Sequence, residues 1–177
     1  MKKLISLMAI TSLNVSAFCF DEAGLYYHVN PKLLTAIAKV ESDYQSNVIN
    51  INKNSQGKTI STDYGLMQIN STWFSHLAQF GINKDNLLSD ACYNVHIGAW
   101  VLSQNFSTHG YNWNSVGAYN AGFSVKTRTS RLTYIRKIKA ALAAINKSNL
   151  LSSNSISNAN PRLLVRTRLR IPPKLKP

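Results

Sequence analysis

Ser61-Thr62-Asp63-Tyr64-Gly65-Leu66-Met67-Gln68-Ile69-Asn70 is the stretch on which the reading of this chain turns, taken together with Glu41, 22 positions before Asp63. Glu41 follows an apolar segment with helical spacing, and Asp63 sits in a polar turn. A carboxyl at an apolar edge and a second one in polar surroundings are the two groups that glycoside cleavage needs. The first holds a proton near neutral pH, and the second stays ionised and faces the developing oxocarbenium ion. Such a pair alone is weak grounds, because any chain contains some.

Working outward, Asn30-Pro31 starts a helix, with Asn as N-cap and Pro at the first helical position. Leu33, Leu34, Ala36, Ile37 and Val40 recur at helical spacing, so one face is buried. Glu41 and Ser42 end this helix. Glu41 lies at the edge of the stripe, where desolvation raises a carboxyl's pKa. On spacing alone, a solvated glutamate at a helix end is the simpler reading.

The segment Ile37-Ala38-Lys39-Val40-Glu41-Ser42 resembles the Glu-Ser helix end of lytic transglycosylases. Gly65-Leu66-Met67-Gln68-Ile69-Asn70 resembles the signature they share with goose-type lysozymes, and Ser61 to Asn70 also looks like the second-carboxylate hairpin of animal C-type lysozymes. Ala118-Tyr119-Asn120, followed by Gly122, is similar to a later element of the transglycosylases, and Tyr134 is the candidate for their lone Tyr on the last core helix. The ordered set spans residues 19–145 and is most like the small transglycosylases of type III secretion, type IV secretion and conjugative pilus systems.

The resemblance implies a lysozyme-like fold with Glu41 as the single acid/base, no metal and no other cofactor. The implied substrate is peptidoglycan, cut at the β-1,4 bond between N-acetylmuramic acid and N-acetylglucosamine with a 1,6-anhydro product, to open the wall locally for a secretion or conjugation apparatus. Ser42, Gln68, Asn70, Tyr119 and Asn120 are then expected to hold the sugar. Met67 is expected to line the site, and Tyr134 to fix the Glu41 rotamer. Asp63 departs from the pattern, since most lytic transglycosylases have no second catalytic carboxylate. A hydrolytic muramidase using Glu41 and Asp63 therefore stays open, as does a turn-forming role for Asp63. A non-catalytic glycan-binding scaffold is the alternative from another class. An intact Glu41 argues against it, because a pure binder gains little from a desolvated acid.

Met1-Lys2-Lys3, the apolar run from Leu4 to Val15 and the small residues Val15-Ser16-Ala17 read as a signal peptide over residues 1–17. The run is about half of the ~20 residues a spanning helix requires, and no later stretch is apolar for long enough to span. The reading is therefore an exported, periplasmic protein. Its two cysteines, Cys19 and Cys92, are most simply one disulfide in an oxidising compartment. His28, His76, His96 and His109 show no metal-ligand spacing, so no metal site is read. His96 is expected to be packed and hydrogen-bonded.

The chain carries a net charge of +13, and residues 91–177 contain no Asp or Glu. Such a balance suits a polyanionic partner. Specific nucleic-acid binding is disfavoured, because aromatic and basic residues are not interleaved as base stacking requires.

Further helices are expected over residues 21–27, from Trp73 to Phe80 with Gly81 as its end, from Leu87 to Phe106, over Trp113 to Gly122, and from Ser130 to Ile145. The last has Leu132, Ile135, Ile138, Leu142 and Ile145 on one face and a solvated face of Arg131, Arg136, Lys137 and Lys139. The fold class is mainly α, an α+β lysozyme-like single compact helical domain over residues 18–147, with at most a small β-hairpin region near 48–64. Residues 148–177, rich in Ser and Asn and then in Pro and basic residues, are expected to be a disordered basic tail.

Overall fold

Cap chemistry sets the first two helices. The computed structural model describes residues 18–156, with side chains to residue 150. The expected signal peptide and the tail beyond residue 156 lie outside the described residues. Helix α1 (Phe20–Tyr27) stops at His28, which takes a left-handed φ of 55°. Helix α2 (Pro31–Ser42) begins as expected, with the Asn30 side chain accepting from the Lys32 N–H at 2.9 Å. It buries Leu33, Leu34, Ala36, Ile37 and Ala38 and ends at Asp43, again left-handed.

A three-stranded antiparallel sheet follows in the order β1-β2-β3: β1 (Ile49–Lys53), β2 (Thr59–Tyr64) and β3 (Ile69–Asn70). The hairpin expected near residues 48–64 is present, and β3 extends it by a strand. Asp63 pairs with Asn50 on one side and Asn70 on the other. The alternation Ile49-Asn50-Ile51-Asn52 sends the amides to the Asp63 face and leaves Ile49 and Ile51 exposed on the opposite one.

Two helices are broken where one continuous helix was expected. The one read from Trp73 to Phe80 is a series: a 3-10 turn (Ser71–Trp73), α3 (Phe74–Leu77) and a second 3-10 turn (Ala78–Phe80). The one read from Leu87 to Phe106 is two helices, α4 (Lys84–Ser89) and α5 (Ala91–His109). Asp90 divides them, because its extended backbone stops α4 while its side chain caps α5 by accepting from the Tyr93 N–H at 2.9 Å.

Helix α5 is the centre of the molecule. Its residues 94–102 are buried without a break, so it is surrounded on every side rather than amphipathic. The disulfide Cys19–Cys92, with Cα atoms 5.2 Å apart, ties the start of α1 to its first turn. His96 is packed as expected, yet only its Nε2 faces a polar group, Glu22 Oε1 at 4.0 Å. Burial lowers its pKa.

Helix α6 (Trp113–Ala121) packs between α5 and α7 (Arg128–Ile156). Helix α7 runs well past the expected end near Ile145, so the boundary drawn at residue 147 falls inside it. Extending a formed helix fixes one residue per new hydrogen bond, and Ser and Asn cost too little to stop it. Arg131 is not on a solvated face. It is buried, and its guanidinium donates to Asn114 Oδ1 (3.0 Å), to the carbonyls of Gly122 (2.9 Å) and Ser124 (2.6 Å) and to Thr127 Oγ1 (3.0 Å). It fastens the α6–α7 connection by donating to carbonyls and side chains along it. Among the described residues no helix is long and apolar enough to cross a membrane.

Candidate active site

Glu41 stands on the last turn of α2, where the apolar face of that helix meets open space. It keeps an opening to a cleft of about 710 Å³ between the sheet and helices α5 and α6. Burial pushes its carboxyl up from 4.5 to about 7. The hydrogen bond from Tyr134 and the charge of Lys137 oppose that rise, and the charge of Asp63 adds to it. The Tyr134 hydroxyl donates to Glu41 Oε1 at 2.5 Å. Tyr134 itself is buried, and burial beside this carboxyl raises its phenol well above the ordinary value, so it remains a donor. This hydrogen bond is the contact that the structure makes between Tyr134 and Glu41.

Asp63 lines the same cleft on β2. Its Oδ2 accepts from Asn52 Nδ2 at 2.7 Å and its Oδ1 from Asn70 Nδ2 at 2.6 Å. Ser61 Oγ also accepts from both amides, each at 3.0 Å. Both carboxyl oxygens are thus oriented by amides anchored on the two neighbouring strands. Asp63 is a held side chain of the cleft and not merely a turn residue. Asn52 had no place in the sequence reading. Its signal was the short Ile-Asn-Ile-Asn alternation, which puts Asn50 and Asn52 on one face of β1.

The Gly65–Gln68 turn joins β2 to β3. Gly65 has φ 76°, and a Cβ there would collide with the Asn94 side chain and come within 2.7 Å of the Leu87 carbonyl. Asn94 is fully buried on α5 and clamps this turn: its Oδ1 accepts from the Met67 N–H (2.7 Å), and its Nδ2 donates to the carbonyls of Tyr64 (2.9 Å) and Leu87 (3.0 Å). Sequence reasoning missed Asn94, since an asparagine in a helix gives no hint of which backbone it satisfies.

The expected sugar-binding residues divide into two groups. Asn70, Tyr119 and Asn120 line the cleft. Gln68 reaches its wall, but its side-chain amide is spent internally on Asn50 (2.8 Å), Val48 (3.2 Å) and Gly65 (2.7 Å). The Tyr119 hydroxyl donates to the Met67 carbonyl at 2.8 Å. Ser42 and Met67 do not reach the cleft. Ser42 is buried, and its hydroxyl lies 2.7 Å from the Leu66 carbonyl, to which it donates. Met67 is fully buried against Gly98, where a Cβ would come within 2.8 Å of it. Both join helices to the turn. Trp73, Asn105 and Phe123 line the cleft as well, without having been singled out. No cluster of side chains suited to a metal borders this cleft among the described residues, since the one such group consists of Glu22 and the two disulfide cysteines.

A mainly helical domain with a small sheet, a desolvated glutamate at a helix end and an aspartate across a polar cleft together define the lysozyme-like class. Residues 18–142 match the family described as the transglycosylase SLT domain, and the chain belongs to that family. It is 40% identical to a peptidoglycan-binding-like protein of Escherichia coli O157:H7 over 134 residues, 75% of this chain and 80% of the relative. It is likewise 40% identical to the invasion protein IagB of Salmonella typhimurium strain SL1344 over 130 residues, 73% and 78% of the two chains. Among solved structures it resembles an inactive mutant of the lytic transglycosylase Slt of Pseudomonas aeruginosa, with a TM-score of 0.55 and 20% identity. That match covers 77% of this chain but only 24% of the much longer Slt chain, and it speaks for the fold.

Proposed function

We propose that the protein is an exported lytic transglycosylase that cuts peptidoglycan strands between N-acetylmuramic acid and N-acetylglucosamine. Glu41 gives its proton to the glycosidic oxygen, and the bond from that oxygen to C1 of the muramoyl ring breaks. The positive charge left at C1 faces Asp63 across the cleft. The Glu41 carboxylate then takes the proton of the muramoyl 6-hydroxyl, whose oxygen closes on C1. The product is a 1,6-anhydro end, no water is consumed, and Glu41 recovers its proton. The internal nucleophile is already at high effective concentration.

The observation that carries this reading is the carboxyl of Glu41, pushed up to about 7 by burial and held by Tyr134 at the wall of a polar cleft. A group titrating there serves as acid and then as base near neutral pH. Asp63, gripped on both oxygens, suits a fixed counter-charge better than a mobile nucleophile. Hydrolysis through Asp63 remains the second reading, because that carboxylate faces the same cleft as Glu41. The leader-like first 17 residues support a periplasmic location, and the likeness to an invasion protein supports local wall opening for a secretion apparatus.

The test is mass spectrometry of muropeptides released from purified sacculi. Anhydro ends are expected. Reducing ends would assign hydrolysis, and an absence of products from an intact, folded protein would leave a glycan-binding scaffold.

A further inference from the structure

Glu41 and Asn120 border two cavities, not one. The larger cleft holds Asp63, Asn52 and Asn70. The smaller, about 320 Å³, lies against the first turns of α7 and is lined by Thr129, Ser130, Thr133, Tyr134 and Lys137 along with Val40. A strand crossing the Glu41 carboxyl therefore has one part on the Asp63 side and the other on the Lys137 side.

The chemistry fixes which part goes where. Positive charge develops on C1 of the muramoyl ring, so that ring belongs beside Asp63. The leaving N-acetylglucosamine is then on the α7 side and carries no charge. The next muramoyl residue beyond it bears the nearest acidic groups on that side: its lactyl carboxylate when bare, or the carboxylates of its peptide stem.

Lys137 is exposed at this end of the cavity, beside three hydroxyl side chains. It forms no salt bridge among the described residues, and the one carboxyl that lines the cavity with it is Glu41, whose proton its charge opposes. The sequence suggested only a solvated charge.

We infer that the cavity along α7 is the leaving-side subsite and that Lys137, with the Thr129, Ser130 and Thr133 hydroxyls, binds a carboxylate on the muramoyl residue beyond the leaving N-acetylglucosamine. This inference rests on the proposed cleavage for the direction of the strand. It makes the enzyme favour acidic peptidoglycan over a neutral glycan of the same backbone. The pairing is charge-assisted but open to water, so removing the cation weakens binding about three- to tenfold.

The experiment measures dissociation constants by calorimetry for Glu41→Gln, which keeps the cleft but lacks the transferable proton, with and without Lys137→Met. The probes are soluble strands with peptide stems, strands stripped of peptide to bare lactyl carboxylates, and stripped strands with those carboxylates capped as methylamides. Lys137→Met is expected to lose affinity for a carboxylate-bearing strand and none for the capped one, and the loss should shrink as salt rises. Lys137→Arg should retain most of the affinity. A loss confined to peptide-bearing strands assigns the stem, and a loss on stripped strands assigns the lactyl group. Equal affinities with and without Lys137→Met on all three probes, or an equal loss on the capped strand, would overturn the inference. Wild-type product analysis runs in parallel on the same strands. Failure to cleave refutes the proposed reaction, whereas cleavage with no Lys137 effect on binding refutes only the subsite.

Discussion

Replacing Glu41 by Gln should make the protein more stable at alkaline pH while removing its activity. The folded-state pKa is raised from 4.5 to about 7, with burial as the largest cause. Below 4.5 the carboxyl is protonated in both folded and unfolded chains. As pH rises through 7 the unfolded chain has already lost its proton freely, and the folded one must ionise a desolvated group. At 1.36 kcal/mol per pH unit, the stability lost over that window is ~3 kcal/mol. A glutamine is nearly isosteric, accepts from the Tyr134 hydroxyl and never ionises. Urea unfolding of both proteins at pH 4, 6 and 8 isolates the effect, because other titrating groups such as His96 cancel in the difference. The two should be close at pH 4, with the variant ahead by ~3 kcal/mol at pH 8. Parallel stability curves across that range would show that Glu41 is an ordinary surface carboxylate, and the acid/base role would lose its foundation.

Tyr134→Phe removes the donor that lowers the Glu41 pKa, so the basic limb of the pH–rate profile should move to higher pH, with kcat reduced about tenfold; an unmoved limb would detach Tyr134 from the carboxyl. Asp63→Asn should lower kcat more than it changes KM, and unchanged kinetics would leave Asp63 with only its hydrogen bonds across the sheet. Asn94→Ala leaves the Met67 N–H and two carbonyls without their partner and should cost about 2–4 kcal/mol in urea unfolding. Reducing Cys19–Cys92 opens a loop spanning 73 positions and should cost about 4 kcal/mol in the chain-entropy picture, read as a lower midpoint under reductant.

Much of this architecture was legible in order along the chain, because its signals are local. Asn30-Pro31 starts a helix wherever it stands, and the Asn30 cap is where it was expected. The helix read from Leu87 to Phe106 failed because periodicity runs straight through a residue that changes the backbone. Asp90 carries no break in the apolar stripe, yet its side chain prefers the Tyr93 N–H to a place inside a helix. The buried Arg131 was illegible for a different reason. Its partners are carbonyls of the α6–α7 connection, and only the tertiary fold decides that these need donors.

The same distinction explains why the Gly-Leu-Met-Gln stretch borders the cleft through Gln68 while Met67 does not reach it. Three structural elements converge on the backbone of this one turn. Helix α2 reaches it through Ser42 to the Leu66 carbonyl, α5 through Asn94 to the Met67 N–H, and α6 through Tyr119 to the Met67 carbonyl. Each bond satisfies a polar group that the turn itself leaves unpaired, and each costs stability if it is lost. Helix α2 carries Glu41, and the turn leads from β2, which carries Asp63, into β3, which carries Asn70. The turn therefore ties together the elements that carry Glu41 and Asp63. Substitutions at Met67 or Ser42 should consequently act on stability and on kcat together, whereas a residue that only held substrate would raise KM in a normally stable protein.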